Sequence, residues 1–193
     1  MRLMGFLLAI LLVPNLAFAD DEMVDSDLAE LLKTKLRTVR HMSLNPVLID
    51  AVRRQNESNL TLEEIKKRDD EWRKSKELTQ LKRELEQNKA GKLLTSYVSR
   101  NKALNEAFLT DNQGANVAAF PPTSDYWQGD EEKWSESFND GEGRVFIGPL
   151  EFDESTKTTA VQISMPMIHF GETIGVLVVG VTVDYLEHKK AQH

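Results

Sequence analysis

The stretch Glu172 to Val183 constrains the fold more than any other part of the chain. Its alternation puts Val176 and Val178 on one face and Leu177, Val179 and Val181 on the other, so the strand is apolar on both sides. The run Ile174–Val183 is β-branched and far short of the roughly 20 residues that a membrane-spanning helix needs, so it reads as a buried strand. A strand with no polar face must be covered on both sides. The rest of the chain has to supply two layers.

The first layer is legible upstream. Between residues 20 and 100 the chain is rich in Glu, Lys, Arg and Leu, with a single proline, Pro46, and a single glycine, Gly91. Leu28, Leu31, Leu32, Leu36 and Val39 recur every three or four residues and predict a helix from Asp25 to Met42. Acids at its start (Asp21, Glu22, Asp25, Asp27) and bases at its end (Lys33, Lys35, Arg37, Arg40) match the helix dipole. Asn45-Pro46 opens a second helix, and Thr61-Leu62-Glu63-Glu64 is a capping box for a third. The third carries Ile65 and Trp72 and is expected to continue, kinked, through Leu78, Leu81 and Leu85. A break at Asn88–Gly91 precedes a short helix bearing Leu93, Leu94, Tyr97 and Val98. The charges between Glu63 and Lys92 read as a solvated face with i,i+4 pairs, the alternative being a docking or dimerisation surface.

From Ala103 the period becomes two. Leu104–Thr110 and Ala115–Phe120 flank a turn at Asp111-Asn112-Gln113-Gly114 and form a hairpin, stopped by Pro121-Pro122. Asp130–Phe138 is an acidic helix bearing Trp134, Arg144–Ile147 a strand, and Lys157–Ile168 pairs with Glu172–Val183 around His169-Phe170-Gly171. The fold class is therefore α+β. An antiparallel sheet carries a long N-terminal helix and the helical half on one face, and a loop-and-helix lid, Pro121 to Gly143, on the other.

The N-terminus has the order of an export signal: Arg2, the apolar run Gly5–Val13, then Ala17-Phe18-Ala19 as the small-residue cleavage site. Residues 1–19 are expected to be removed, leaving a soluble periplasmic protein; a retained anchor is the alternative. The remainder divides into a helical region (20–102), sheet and lid (103–186) and a tail (187–193). The chain has no cysteine, which removes disulfides and thiolate chemistry. A net charge of −7 argues against nucleic acid or anionic membrane as partner.

The chain resembles the extracytoplasmic, PAS-like sensor domains called Cache or PDC domains. The hairpin Leu109-Thr110-Asp111-Asn112-Gln113-Gly114-Ala115-Asn116-Val117-Ala118 is similar to the family's acid-x-x-Gly-x-x-Val-Ala pattern. Thr123-Ser124-Asp125-Tyr126-Trp127-Gln128-Gly129-Asp130-Glu131, with Trp134 beyond it, resembles the lid of single-Cache sensors. Gly148, Phe152-Asp153, Ser164-Met165-Pro166 and Gly175-Val176-Leu177-Val178-Val179-Gly180-Val181 resemble the later strands, and Arg68-Asp69-x-x-Trp72 and Asn88 the helical region. The likeness spans roughly Asp25 to Leu186. It implies a PAS-like sheet, a small-molecule pocket between sheet and lid, and a role in signal transduction. Most such domains sit between membrane helices and a transmitter. With the last strand near Val183 and the chain ending at His193, the expectation is a signal passed through a separate membrane-bound receptor or kinase.

A pocket of that kind wants aromatic walls and a few placed polar groups. Tyr126, Trp127 and Trp134, with Phe120 and Phe146, supply walls; Asp125, Asp153, Gln162, Ser164 and Asp184 supply polar groups. Aromatic faces beside a carboxylate suit an amine or amino acid. Tyr126 and Trp127 are equally readable as core, Asp125 as a turn residue, and Trp72 is read as core. The four histidines show no ligand spacing, and the turns Asp111-x-x-Gly114 and Asp140-Gly141-Glu142-Gly143 read as solvated, so neither metal nor cofactor is expected. With no Gly-x-Ser-x-Gly elbow, His-Glu-x-x-His pair or Walker loop, the reading is a binding module and not an enzyme.

Overall fold

A computed structural model describes residues 19–153 and 158–183, with side chains from Glu30 onward except Leu31 and Asp153. The signal segment up to residue 18, Asp184 and the tail lie outside the described residues. Five helices come first: α1 (Ala19–Ser43), α2 (Pro46–Glu57), α3 (Leu62–Lys74), α4 (Gln80–Gln87) and α5 (Lys89–Arg100). The sheet follows: β1 (Leu104–Thr110), β2 (Asn116–Phe120), then helix α6 (Glu132–Phe138), β3 (Phe146–Asp153), β4 (Thr158–His169) and β5 (Glu172–Thr182). Among the described residues no helix is long and apolar enough to cross a membrane.

The caps form as the sequence implies. Asn45 Oδ1 accepts from the Val47 amide at 2.9 Å. Thr61 Oγ1 accepts from Glu64 N at 3.2 Å while the Glu64 carboxylate accepts from Thr61 N at 2.9 Å, closing the capping box. The third helix does not continue through Leu85. It ends at Lys74, and α4 starts afresh with Thr79 Oγ1 accepting from Lys82 N at 3.2 Å. Lys82 Nζ also donates to Ser75 O at 2.7 Å, tying the turn between the two helices. The break before α5 is narrower than expected. Asn88 alone makes it, ending α4 and capping α5 through Gly91 N at 2.8 Å, and its Nδ2 donates to Val117 O at 2.9 Å. Gly91 lies inside α5, where a Cβ would sit 2.2 Å from Leu85 O; only glycine lets α5 pack this close to the end of α4.

The sheet is antiparallel in the order β2-β1-β5-β4-β3, which puts β5 at its centre. Strand β3 runs to Asp153, beyond the expected Ile147. Gly148 and Pro149 are absorbed as a register shift, and pairing resumes with Leu150 opposite Val161.

Both faces of β5 are covered. On one side Leu177, Val179 and Val181 join Leu109, Ile163, Met165 and Met167 under Val39 and Met42 of α1, Leu48 and Val52 of α2, and Leu94 of α5. On the other, Val176 and Val178 meet Phe108 and Ala119 beneath Trp134 and Phe138 of α6, whose rings stack 4.8 Å apart. The lid is split, however. Among the described residues α6 and the turn that follows it cover the second face; Thr123–Gln128 folds back to the helical side, where Tyr126 packs with Ile65, Trp72 and Leu85.

Leu177 is fully buried in the larger core, so Leu177→Ala is expected to cost about 2–5 kcal/mol of unfolding free energy, measured by urea denaturation.

Candidate functional site

The turn between β1 and β2 is built on one carboxylate. Asp111 Oδ1 accepts from Gln113 N and Ala115 N, each at 2.9 Å, and Oδ2 accepts from Gln55 Nε2 of α2 at 3.2 Å. This turn was expected to be solvated. Instead Asp111 is 2% exposed, because the hairpin end docks on α2, and burial pushes its carboxyl above the ordinary range.

Helix α3 holds the returning segment. Asp69, also buried, accepts from Tyr126 N at 2.8 Å and Trp127 N at 3.1 Å on Oδ1, and its Oδ2 pairs with Arg73 at 3.0 Å. Trp72 Nε1 donates to Thr123 O at 2.9 Å, one helical turn further on. The charged helices are therefore not a wholly solvated face: Asp69 and Lys82 point inward. Asn116 Nδ2 donates to Thr123 Oγ1 at 2.7 Å and Asp125 O at 3.1 Å, anchoring the same segment to β2.

What these contacts position is Tyr126, at the wall of a cleft of about 740 Å³ bounded by α2, α4 and the start of α5. Asp50, Gln55, Arg68, Leu85 and Val117 line it with Tyr126. The Tyr126 hydroxyl accepts from Gln55 Nε2 at 3.4 Å and stands beside the Arg68 guanidinium. Burial raises the phenol pKa above its usual value, and Arg68 and Gln55 oppose that shift. Asp50 carries Arg53 on one oxygen at 3.0 Å and Arg54 on the other at 2.9 Å, and the Arg53 hydrogen bond leads in lowering its pKa.

Of the ten residues expected to form the pocket, the eight whose side chains are described are not gathered in one place. Tyr126 lines the cleft. Trp127 is half-buried against the cluster of Ile65, Trp72 and Tyr126, its Nε1 donating to Gln113 O at 2.8 Å and Lys66 lying 4.9 Å above its ring. Trp134 lies on the opposite face of the sheet, its Nε1 3.3 Å from Asp111 O. Asp125 is a turn residue, accepting from Ser124 Oγ at 2.7 Å and Gln128 Nε2 at 2.9 Å. Phe120 packs at the edge of the larger core and Phe146 is half-buried on β3. Gln162 donates to Glu106 at 2.7 Å in a separate groove of about 340 Å³. Ser164 is fully buried, opposite Phe146 and Val178, with no hydrogen-bond partner for Oγ among the described residues. The Asp153 side chain and all of Asp184 lie outside the described residues. Gln55, Arg68, Asp69 and Asp111, by contrast, meet around Tyr126. Arg68-Asp69-x-x-Trp72 was the available signal for two of them; Gln55 had none beyond its place on α2. Among the described residues no group of three His, Cys, Asp or Glu could hold a metal.

No protein-family model matches the chain, and no curated protein sequence matches it. Solved structures do. The ligand-binding domain of the Campylobacter jejuni chemoreceptor Tlp3, in complex with L-norvaline, is 17% identical with a TM-score of 0.50; the match covers 86% of this chain and 57% of that one. The ligand-binding domain of the Pseudomonas aeruginosa amino acid chemoreceptor PctC in complex with GABA is 15% identical, with a TM-score of 0.49 and coverage of 86% and 60%. The Vibrio cholerae histidine kinase DctB sensor domain is 14% identical, with a TM-score of 0.46 and coverage of 86% and 57%. The chain thus spans less than two thirds of these neighbours' length. The Tlp3 match shows a shared fold, that of the PDC or PAS-like sensor domain.

The Asp111 carboxyl gives a pH signature. Its folded pKa is raised above 3.8, so the folded state holds the extra proton as pH climbs; the stability this contributes is full below 3.8 and lost on rising through the folded value. Asp111→Asn, which keeps an acceptor for Gln113 and Ala115, is expected to gain stability relative to wild type as pH rises above the ordinary carboxylate range in urea titrations.

Proposed function

We propose that this chain is an extracytoplasmic small-molecule sensor domain that binds its ligand in the cleft at Tyr126 and signals through a membrane-bound partner. It is not an enzyme on this reading. The fold shared with a chemoreceptor ligand-binding domain supports the role, and the N-terminal segment ending at Ala19 supports export to the periplasm. The observation that carries the site is the convergence of the Tyr126 hydroxyl, Gln55 and Arg68 on one cleft, the first two held from behind. Tyr126 hangs from Asp69, and Gln55 is tied to Asp111. The cleft is of a size that suits small-molecule ligands.

The same network supplies a route out. Gln55 bridges α2 to the β1–β2 turn, and Asn56 beside it donates to Ile174 O on β5 at 2.8 Å. A ligand drawing on Gln55 or Tyr126 biases how α2 and the Thr123–Gln128 segment sit on the sheet, provided it binds one arrangement better than the other.

The test is thermal melting of the chain beginning at Asp20 with a panel of amino acids, amines, carboxylates and purines. At least one class is expected to raise Tm by about 5 °C at a hundredfold excess over Kd. Tyr126→Ala is expected to abolish that shift and Trp134→Phe to preserve it. No shift with any class would leave a non-binding adaptor of the same fold.

A further inference from the structure

Exposed apolar side chains gather on one edge of the sheet. Val145, Ile147, Leu150 and Phe152, on or beside β3, are 39%, 42%, 49% and 55% exposed. Among the described residues the other large apolar side chains at the surface are dispersed over α2, α3, the loops and the β4–β5 turn. Single exposed residues are ordinary, but a contiguous stripe marks an interaction surface.

The four share one face because of the bulge. Ile147 stands opposite Ile163 and Leu150 opposite Val161, both in the larger core, and opposed residues of an antiparallel pair share a face. Ile147 and Leu150 are three apart and would point to opposite sides of a regular strand; the register shift at Gly148-Pro149 returns them to one side. Phe152 follows Leu150 by two and Val145 precedes Ile147 by two, which continues the stripe in both directions. The larger core thus runs out past the rim of the sheet.

The two rims differ. Beside β2 the returning segment closes the edge, with Asn116 N donating to Tyr126 O at 3.0 Å and Ala115 bridging to Trp127. Strand β3 is last in the order at the other rim, and among the described residues no strand flanks its outer side. The sequence from Arg144 to Asp153 holds no lysine, the commonest guard of an open edge.

We infer that β3 is a self-pairing edge, through which two copies of this chain join antiparallel about a two-fold axis beside Gly148-Pro149. That register sets Ile147 against Leu150 of the other copy and Val145 against Phe152, each contact occurring twice. It uses all four exposed apolar residues, and it brings Arg144 opposite Asp153 with no like charges facing one another. Pro149 removes one donor beside the axis, so apolar contact carries much of the association. Covering this strip in both copies takes on the order of 1,000 Å² from water, at the lower end for a specific interface, so a reversible micromolar dimer is expected. With the β2 edge closed, pairing stops at two copies. The cleft at Tyr126 lies toward β2, through Val117, and stays open in such a dimer.

Sedimentation velocity of the chain beginning at Asp20, from about 1 to about 200 μM, tests this. A concentration-dependent dimer is expected, and Ile147→Lys and Leu150→Lys are each expected to weaken it at least about tenfold. Both positions are exposed, so the melting temperature of the monomer is expected to move by no more than a few degrees. Because the chain has no cysteine, introduced thiols report the register. Mild oxidation of an equal mixture of Ile147→Cys and Leu150→Cys proteins is expected to link one to the other in preference to like with like. A monomer throughout the range, a dimer that both lysine variants leave unchanged, or cross-links without that preference would each overturn the inference. None of these outcomes bears on the sensor reading, which is decided by ligand binding at the cleft.

Discussion

Strand β5 has no polar face, and the architecture follows from covering it twice. Its Leu177, Val179 and Val181 face needs a broad apolar layer, which α1, α2 and α5 provide. Its Val176 and Val178 face is narrower and is closed by one short helix, α6, through Trp134 and Phe138. Centring β5 in the sheet, between β1 and β4, satisfies its backbone groups on both edges at the same time. Burial on this scale supplies the main driving force in a chain with no disulfide to restrain it.

That division of labour frees the segment after β2. With α6 and the turn after it on the second face, Thr123–Gln128 returns to the helical side, and two buried carboxylates hold it and its neighbour there. Asp69 takes the backbone of Tyr126 and Trp127; Asp111 shapes the adjoining turn and reaches Gln55. Buried polar groups are costly unless satisfied, so these satisfied ones fix a single arrangement around Tyr126. The cleft lies where the apolar layering gives way to this polar frame.

Much of the fold was legible from periodicity and caps. The double-faced β5, the capping box at Thr61 and the Asn45-Pro46 start are local signals, and each forms where it was expected. The misread features depend on tertiary contacts. The end of α3 is set by a Thr79 cap and by Lys82 reaching back to Ser75, and the length of β3 by a bulge that hides Gly148-Pro149 within a paired strand. The site was less legible for the same reason. Aromatic residues close in sequence are divided, Tyr126 and Trp127 to the cluster on the helical side and Trp134 to the opposite face of the sheet, while Gln55, Arg68 and Asp111 come from three separate elements. No spacing rule joins residues that meet only after the lid divides.

The central claim is that the ligand site lies on the helical side of the sheet, at Tyr126, and not under α6. Amide hydrogen exchange with and without a compound that stabilises the protein tests this most directly. The account predicts added protection in Ala51–Ser58 and Thr123–Gln128, with exchange in Glu132–Phe138 unchanged. Protection concentrated in α6 and the Val176–Val178 face, with Thr123–Gln128 unaffected, would contradict it.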